Sequence, residues 1–243
     1  MTAQYKKIAT QLVHAGDPKP RIKGAVNIPI FQSAQYEYGE ADKDTDIKYL
    51  RLSNSPNHQA LHDKLAQIEE AEAALVTASG MAAISTALLT VLSSGDHLLA
   101  QDCLYGGTLG FISQDLPAFG ITYDLINGND PESWEKKLQP RTKAVYVETL
   151  TNPLLELADL EAVVEFAQKH GLVTIIDNTF TTPVNFRPSK LGFDLSLHSC
   201  TKYLNGHSDI VGGAIIGRKE WIEKIKPKLS HFGGTMDTHV CFL

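Results

Sequence analysis

Lys202 stands in the stretch SLHSCTKYLNGHSD (196 to 209), with Ser199 and Thr201 before it, directly after a short apolar run. An amine in such a place can attack a carbonyl if it is partly withdrawn from water and kept near other cations, because it then gives up its proton near neutral pH. The chain supplies two further groups. Asp177 closes the apolar run 173 to 176, so its carboxylate emerges at the edge of a water-poor interior and, ionised, needs a cation. Ser79-Gly80-Met81 put a glycine where a strand gives way to a helix, so bare backbone and the first helical amides can receive a phosphate. Each feature alone has an ordinary explanation: a solvated lysine, a capping aspartate, a conformational glycine. Together they are the three requirements of pyridoxal phosphate: an amine for its aldehyde, a carboxylate for its ring nitrogen and a cradle for its phosphate.

The elements that must position these groups are legible as alternating strands and helices. AALVTAS (73 to 79) reads as a buried strand followed by the helix former MAAISTALLTVL, and HLLAQD, ITYDLI and KAVYVET read as further strands. Leu160, Val163, Val164 and Ala167 follow helical spacing, with Asp159 as N-cap and Gly171 as C-cap. LVTIIDNT, LSLHS and VGGAIIG complete the series. The pattern predicts an α/β fold, a three-layer domain around a mostly parallel sheet. Ligands of such sheets sit at the carboxyl ends of the strands, so Ser79, Asp177 and Lys202 should face one crevice.

Composition excludes other classes. The chain has 243 residues, 43% hydrophobic and 21% charged, which suits a globular domain. A formal net charge of -6 with no basic run argues against nucleic acid or an anionic membrane surface, leaving a small molecule as the partner. Apolar windows such as 81 to 92 fall short of a membrane span, and the first residues lack a signal-peptide core, so a cytoplasmic protein is expected. Cys103, Cys200 and Cys241 show no CxxC spacing and read as buried or idle thiols. Neither GxxxxGK[ST] nor GxGxxG is present. His58 and His62 lie four apart on an expected helix but without an HExxH pattern, so they read as a solvated helix face and no metal is expected.

YLRLSN (49 to 54), ASGMAAI (78 to 84), CLYGGT (103 to 108), ETLTNP (148 to 153), IIDNTF (175 to 180) and HSCTKYLNGHSDIVGGAI (198 to 215) resemble, in order and spacing, the Cys/Met-metabolism family of pyridoxal-phosphate trans-sulfuration enzymes. That family includes cystathionine γ-synthase, cystathionine lyases, methionine γ-lyase and O-acetylhomoserine sulfhydrylase, and the resemblance implies the aspartate aminotransferase-like large domain. It further implies that Lys202 anchors the cofactor covalently and moves the substrate α-proton, that Asp177 keeps the ring nitrogen protonated, and that Tyr105 stacks on the ring and assists proton transfer. Ser79, Gly80, Met81, Ser199 and Thr201 would hold the phosphate, Asn152 would lie near the 3-oxygen, and Thr179 would belong to the same cofactor site. Tyr49 and Arg51 would reach the phosphate of a neighbouring subunit, making the protein a homo-oligomer, a dimer of catalytic dimers. Residues 1–47 would form an N-terminal arm and 48–243 the cofactor-binding domain, with the family's C-terminal small domain absent from this chain.

Departures bear on specificity. NSPN after Arg51 is one residue longer than the family's usual turn, Leu150 replaces a proline, Leu109 to Phe111 offer no arginine for a distal carboxylate, and Gly107 stands where methionine γ-lyases carry cysteine. Two readings follow: an enzyme making or breaking a carbon–sulfur bond by β- or γ-elimination or γ-replacement, or a noncatalytic fragment or assembly protein that keeps the cofactor fold.

Overall fold

The computed structural model describes residues 6–37 and 48–243. Parts of the expected arm, 1–5 and 38–47, lie outside the described residues. The helices in chain order are α1 (Ile8–His14), α2 (Pro56–Glu69), α3 (Gly80–Val91), α4 (Gly106–Gly110), α5 (Pro131–Lys137), α6 (Leu160–His170), α7 (Thr182–Asn185), α8 (Pro188–Leu191), α9 (Lys219–Phe232) and α10 (Thr238–Phe242). The strands are β1 (Ala73–Thr77), β2 (His97–Gln101), β3 (Thr122–Ile126), β4 (Thr142–Glu148), β5 (Val173–Asp177), β6 (Leu195–Ser199) and β7 (Gly213–Gly217).

Among the described residues these strands form one sheet in the order β1-β7-β6-β5-β4-β2-β3. β3, β2, β4, β5 and β6 pair in parallel, whereas β7 runs antiparallel to both β1 and β6. β1 and β6 therefore point the same way, and their carboxyl ends open on the same side as that of β5. The antiparallel strand brings its first residue between them: Gly213 is the register partner of both Thr77 and Ser199. A Cβ there would lie 2.2 Å from the Ser79 carbonyl oxygen, so the absent side chain lets the chain leaving β1 close over β7.

Both faces of the sheet are covered, which is why its strands are apolar runs rather than alternating ones. Tyr146, Ile175, Leu197 and Ile215 pack on one face with Ala83, Ala87 and Leu88 of α3 and Ile225 and Leu229 of α9. Val145, Val147 and Ile176 pack on the other with Val163, Val164 and Ala167 of α6. Burying each such aliphatic side chain contributes about 1.5–3 kcal/mol. The expected caps of α6 are present: the Asp159 side chain accepts from the Ala162 N–H, and Gly171 ends the helix at φ 65°.

The expectation for His58 and His62 is corrected. Both are buried, at 0% and 8% exposure. His58, His62, Leu65 and Glu69 form the inward stripe of α2, so this helix buries polar types on its core face. Ser55 Oγ lies 2.7 Å from His58 Nδ1, and His58 Nε2 lies 2.8 Å from the Met236 carbonyl. Burial pushes His62 down to about 3. Among the described residues no group of three or more potential ligands could hold a metal ion.

Candidate active site

The carboxyl ends of β1, β4, β5 and β6 open on one cavity of about 260 Å³. Ten expected residues line it: Ser79, Gly80, Met81, Tyr105, Asn152, Asp177, Thr179, Ser199, Thr201 and Lys202. Ile84, Glu148, Leu150 and Phe180 line it as well.

The end of β1 delivers the first group. Thr77 Oγ1 donates to the Ser79 carbonyl at 2.8 Å, and Ser79 Oγ accepts from the Ala82 N–H at 3.0 Å as N-cap of α3. The Ser79 hydroxyl is thus engaged by its own helix, and the amides of Gly80 and Met81 stand at the positive end of that twelve-residue helix. Gly80 packs so closely on β6 that an added Cβ would lie 2.8 Å from Ser199 Cβ.

Asp177 ends β5. The Thr179 N–H donates to its Oδ1 at 2.9 Å, while Thr179 Oγ1 accepts from the Ser199 N–H at 2.8 Å, coupling this loop to the end of β6. Burial raises the Asp177 carboxyl above the usual carboxylate range, against the opposing bonds from Thr179 and the nearby charge of His198. Such a group is held ionised by a cation placed in the cavity.

Lys202 lies in the turn Cys200–Leu204 at φ -99° and ψ -128°, a non-helical conformation inside an otherwise helical turn. It is exposed, so the expected partial withdrawal from water is not a property of this turn: the cavity mouth leaves the side chain in solvent. The turn is fixed by Thr201 Oγ1, which donates to the Gly212 carbonyl at 3.3 Å and accepts from the Gly212 N–H at 3.1 Å. Tyr105, 47% exposed, is the N-cap residue of α4, and an added Cβ at Gly107 would lie 2.6 Å from its ring.

Tyr49 and Arg51 are not among the cavity residues. Arg51 Nη1 donates to Ser230 Oγ at 2.9 Å, and its guanidinium lies 5.2 Å from the Tyr49 ring centroid. In the lengthened NSPN turn, Asn54 Oδ1 accepts from the Tyr49 N–H at 3.1 Å and Ser55 caps α2.

Glu148 is absent from the sequence expectations. It is 4% exposed, ends β4 as the register partner of Asp177, and accepts the Tyr105 N–H at 2.7 Å. Burial pushes its carboxyl up to about 7. Like Asp177, it is an acidic residue closing an apolar run, but no local pattern marks it as buried.

The residues present fit pyridoxal phosphate. A glycine cradle at a helix N-terminus, a half-buried carboxylate and a lysine amine line one space of suitable size, with Tyr105 available to a ring face.

Comparison with known proteins agrees. Residues 9–243 match the family described as Cys/Met metabolism PLP-dependent enzyme. The chain is 42% identical over 236 residues to a probable cystathionine gamma-synthase of Herpetosiphon aurantiacus, covering 97% of this chain and 73% of that one. It is 40% identical to a cystathionine gamma-lyase of Bacillus subtilis strain 168, covering 95% of this chain and 60% of the relative. Among solved structures, cystathionine gamma-lyase from Lactobacillus plantarum, complexed with L-serine, superposes with a TM-score of 0.91 at 34% identity, covering 98% of this chain and 62% of that one. The structure of metB from Corynebacterium glutamicum superposes with a TM-score of 0.93 at 30% identity, covering 100% and 63%. Against the second relative and both structures the chain spans less than two thirds of the matched length.

Proposed function

Since the chain belongs to the Cys/Met metabolism family of PLP-dependent enzymes, we propose that it binds pyridoxal phosphate in the cavity between β1, β5 and β6 and makes or breaks a carbon–sulfur bond on a cysteine-, homocysteine- or methionine-type substrate. The observation that carries this reading is the convergence of Lys202, Asp177 and the α3 N-terminus on one cavity. When bound, the cofactor supplies an electrophilic carbon and an electron-withdrawing ring. Lys202 Nζ would hold the cofactor covalently and, as a free amine, would take and return the substrate α-proton. The Asp177 carboxylate would keep the ring nitrogen protonated. The amides of Gly80 and Met81, with the hydroxyls of Ser79 and Ser199, would bind the phosphate at the positive end of α3, and Thr201 would join them once its proton turns from the Gly212 carbonyl. Tyr105 would stack on the ring and its hydroxyl would assist proton transfer, Asn152 would lie near the 3-oxygen, and Thr179 would belong to the same site.

In the same reading residues 48–243 are the cofactor-binding domain and 1–47 its arm. Two chains share each site, with Tyr49 and Arg51 serving the partner's phosphate. Exposed Leu154, Leu155 and Leu157, just beyond Asn152, offer apolar surface for that association. The unpaired thiols of Cys103, Cys200 and Cys241 suit a reducing, cytoplasmic setting. The test is incubation with cystathionine, with methionine, and with O-acetylhomoserine plus sulfide, assaying oxo acid, ammonia and thiol. Turnover of one identifies the reaction. Silence with all, alongside retained cofactor, contradicts catalysis by this chain and leaves the noncatalytic reading.

A further inference from the structure

Glu148 is a buried acid that neither the phosphate cradle nor the ring-nitrogen contact uses. Its main chain and side chain are both tied to the segment carrying Tyr105. The Gln101 side chain, at the end of β2, accepts the Glu148 N–H at 2.9 Å through Oε1, and Glu148 Oε1 accepts the Tyr105 N–H at 2.7 Å. Both ends of the segment 101 to 105 are therefore fastened to one residue at the end of β4. On the other side the Asn152 amide acts on the same carboxyl group. Beyond this clamp, the Leu109 N–H donates to the Tyr105 carbonyl at 2.9 Å; the side chain is half exposed and α4 begins with two glycines.

We propose that Glu148 is a positioning residue whose carboxylate clamps the Tyr105 backbone, and so sets the aromatic ring over the cavity in which the cofactor reading places pyridoxal phosphate. The proposal rests on that reading for its consequence, but the clamp belongs to the chain itself. A neutral acceptor could satisfy a lone amide. A carboxylate makes the stronger, charge-assisted bond, and it makes that bond dependent on its own ionisation. The groups facing it are Asp177 from β5, Tyr146 from β4, the Tyr105 amide from the β2–α4 segment and the Asn152 amide, with Lys202 lining the same cavity. Burial and the Asp177 charge both hold the proton on Glu148 into the neutral range. The clamp should tighten as pH rises through that range.

The experiment is amide hydrogen exchange at Tyr105, read in the full chain without and with pyridoxal phosphate, for the unchanged protein and for Glu148→Ala, Glu148→Gln and Glu148→Asp. Loss of the bond should raise Tyr105 exchange about tenfold in Glu148→Ala and in the shorter Glu148→Asp. Glu148→Gln should keep part of the protection while losing its pH dependence, once intrinsic exchange rates are divided out. With the cofactor added, Glu148→Gln should bind it about tenfold more weakly at pH 8, where the unchanged carboxylate is ionised, and lose the step near neutrality in affinity against pH. Unchanged Tyr105 exchange in both Glu148→Ala and Glu148→Gln would overturn the clamp, as would a pH step that survives in Glu148→Gln. If Glu148→Ala fails to fold, Glu148→Gln decides alone. Covalent attachment of pyridoxal phosphate to the unchanged chain tests the cofactor reading separately, so either can fail without the other.

Discussion

Glu148 and Asp177 end adjacent parallel strands as register partners, so two carboxyl groups open side by side on the same cavity. Burial raises both, and the Asp177 charge raises the Glu148 proton affinity further. Between pH 4.5, where an unburied glutamate ionises, and about 7, the folded chain holds a proton that the unfolded chain has released. Stability therefore falls as pH rises through that window, by on the order of 3 kcal/mol from Glu148 alone. Glu148→Gln should remove that part of the slope in urea unfolding of the cofactor-free chain. An unchanged slope would mean that Glu148 is not the titrating group.

His62 has the opposite sign. Its folded value near 3 lies below the ordinary 6.5, so its contribution is full above pH 6.5 and is lost as pH falls toward 3. The full window is worth on the order of 5 kcal/mol. His62→Leu should flatten the acid limb of stability against pH while leaving cofactor affinity alone, because His62 lies on α2 outside the cavity. Unaltered acid sensitivity in that variant would contradict a buried neutral His62.

Gly80→Ala tests the close approach of α3 to β6. The added methyl would sit 2.8 Å from Ser199 Cβ and 3.1 Å from Ser199 Oγ. Overpacking of this kind costs about 1–3 kcal/mol. The expected result is a lowered melting temperature together with at least about tenfold weaker pyridoxal phosphate binding, since the methyl enters the phosphate cradle. Gly95→Ala, at φ 94° with open space around it, should lower stability without touching affinity.

Much of this site was legible because strand ends are where open α/β sheets bind ligands. Asp177, Ser79 and Lys202 could be placed on one crevice from the apolar runs before them, and Asp159 and Gly171 marked α6 by cap chemistry. Glu148 escaped because an acid ending KAVYVE reads as an ordinary exit to solvent; its burial depends on the Tyr105 segment, which arrives from β2 through no local pattern. His58 and His62 were misread for a related reason. The core stripe of α2 is made of His, His, Leu and Glu, so polar residue type hid the buried face. The exposure of Lys202 follows from the path of the turn after β6, which residue types alone do not specify.

Tyr49 and Arg51 lie outside their own chain's cavity, and the proposed arrangement has them serve the partner. Neither Arg51→Ala nor Lys202→Ala chains alone should form a complete site. Co-refolded, they should regain cofactor attachment in about one quarter of the sites, each pairing an intact Lys202 with an intact Arg51 from the neighbour. Mixtures that attach no more cofactor than the separate variants would contradict a shared site.

The central claim is that the Lys202 amine captures an aldehyde in the cavity that Asp177 closes. The direct measurement is to saturate the chain with pyridoxal phosphate, reduce it with borohydride, digest it and locate the added mass. The account predicts the adduct on the peptide containing Lys202 and its disappearance, with the visible absorbance, in Lys202→Ala. An adduct on another lysine, or absorbance that survives Lys202→Ala unchanged, would contradict it.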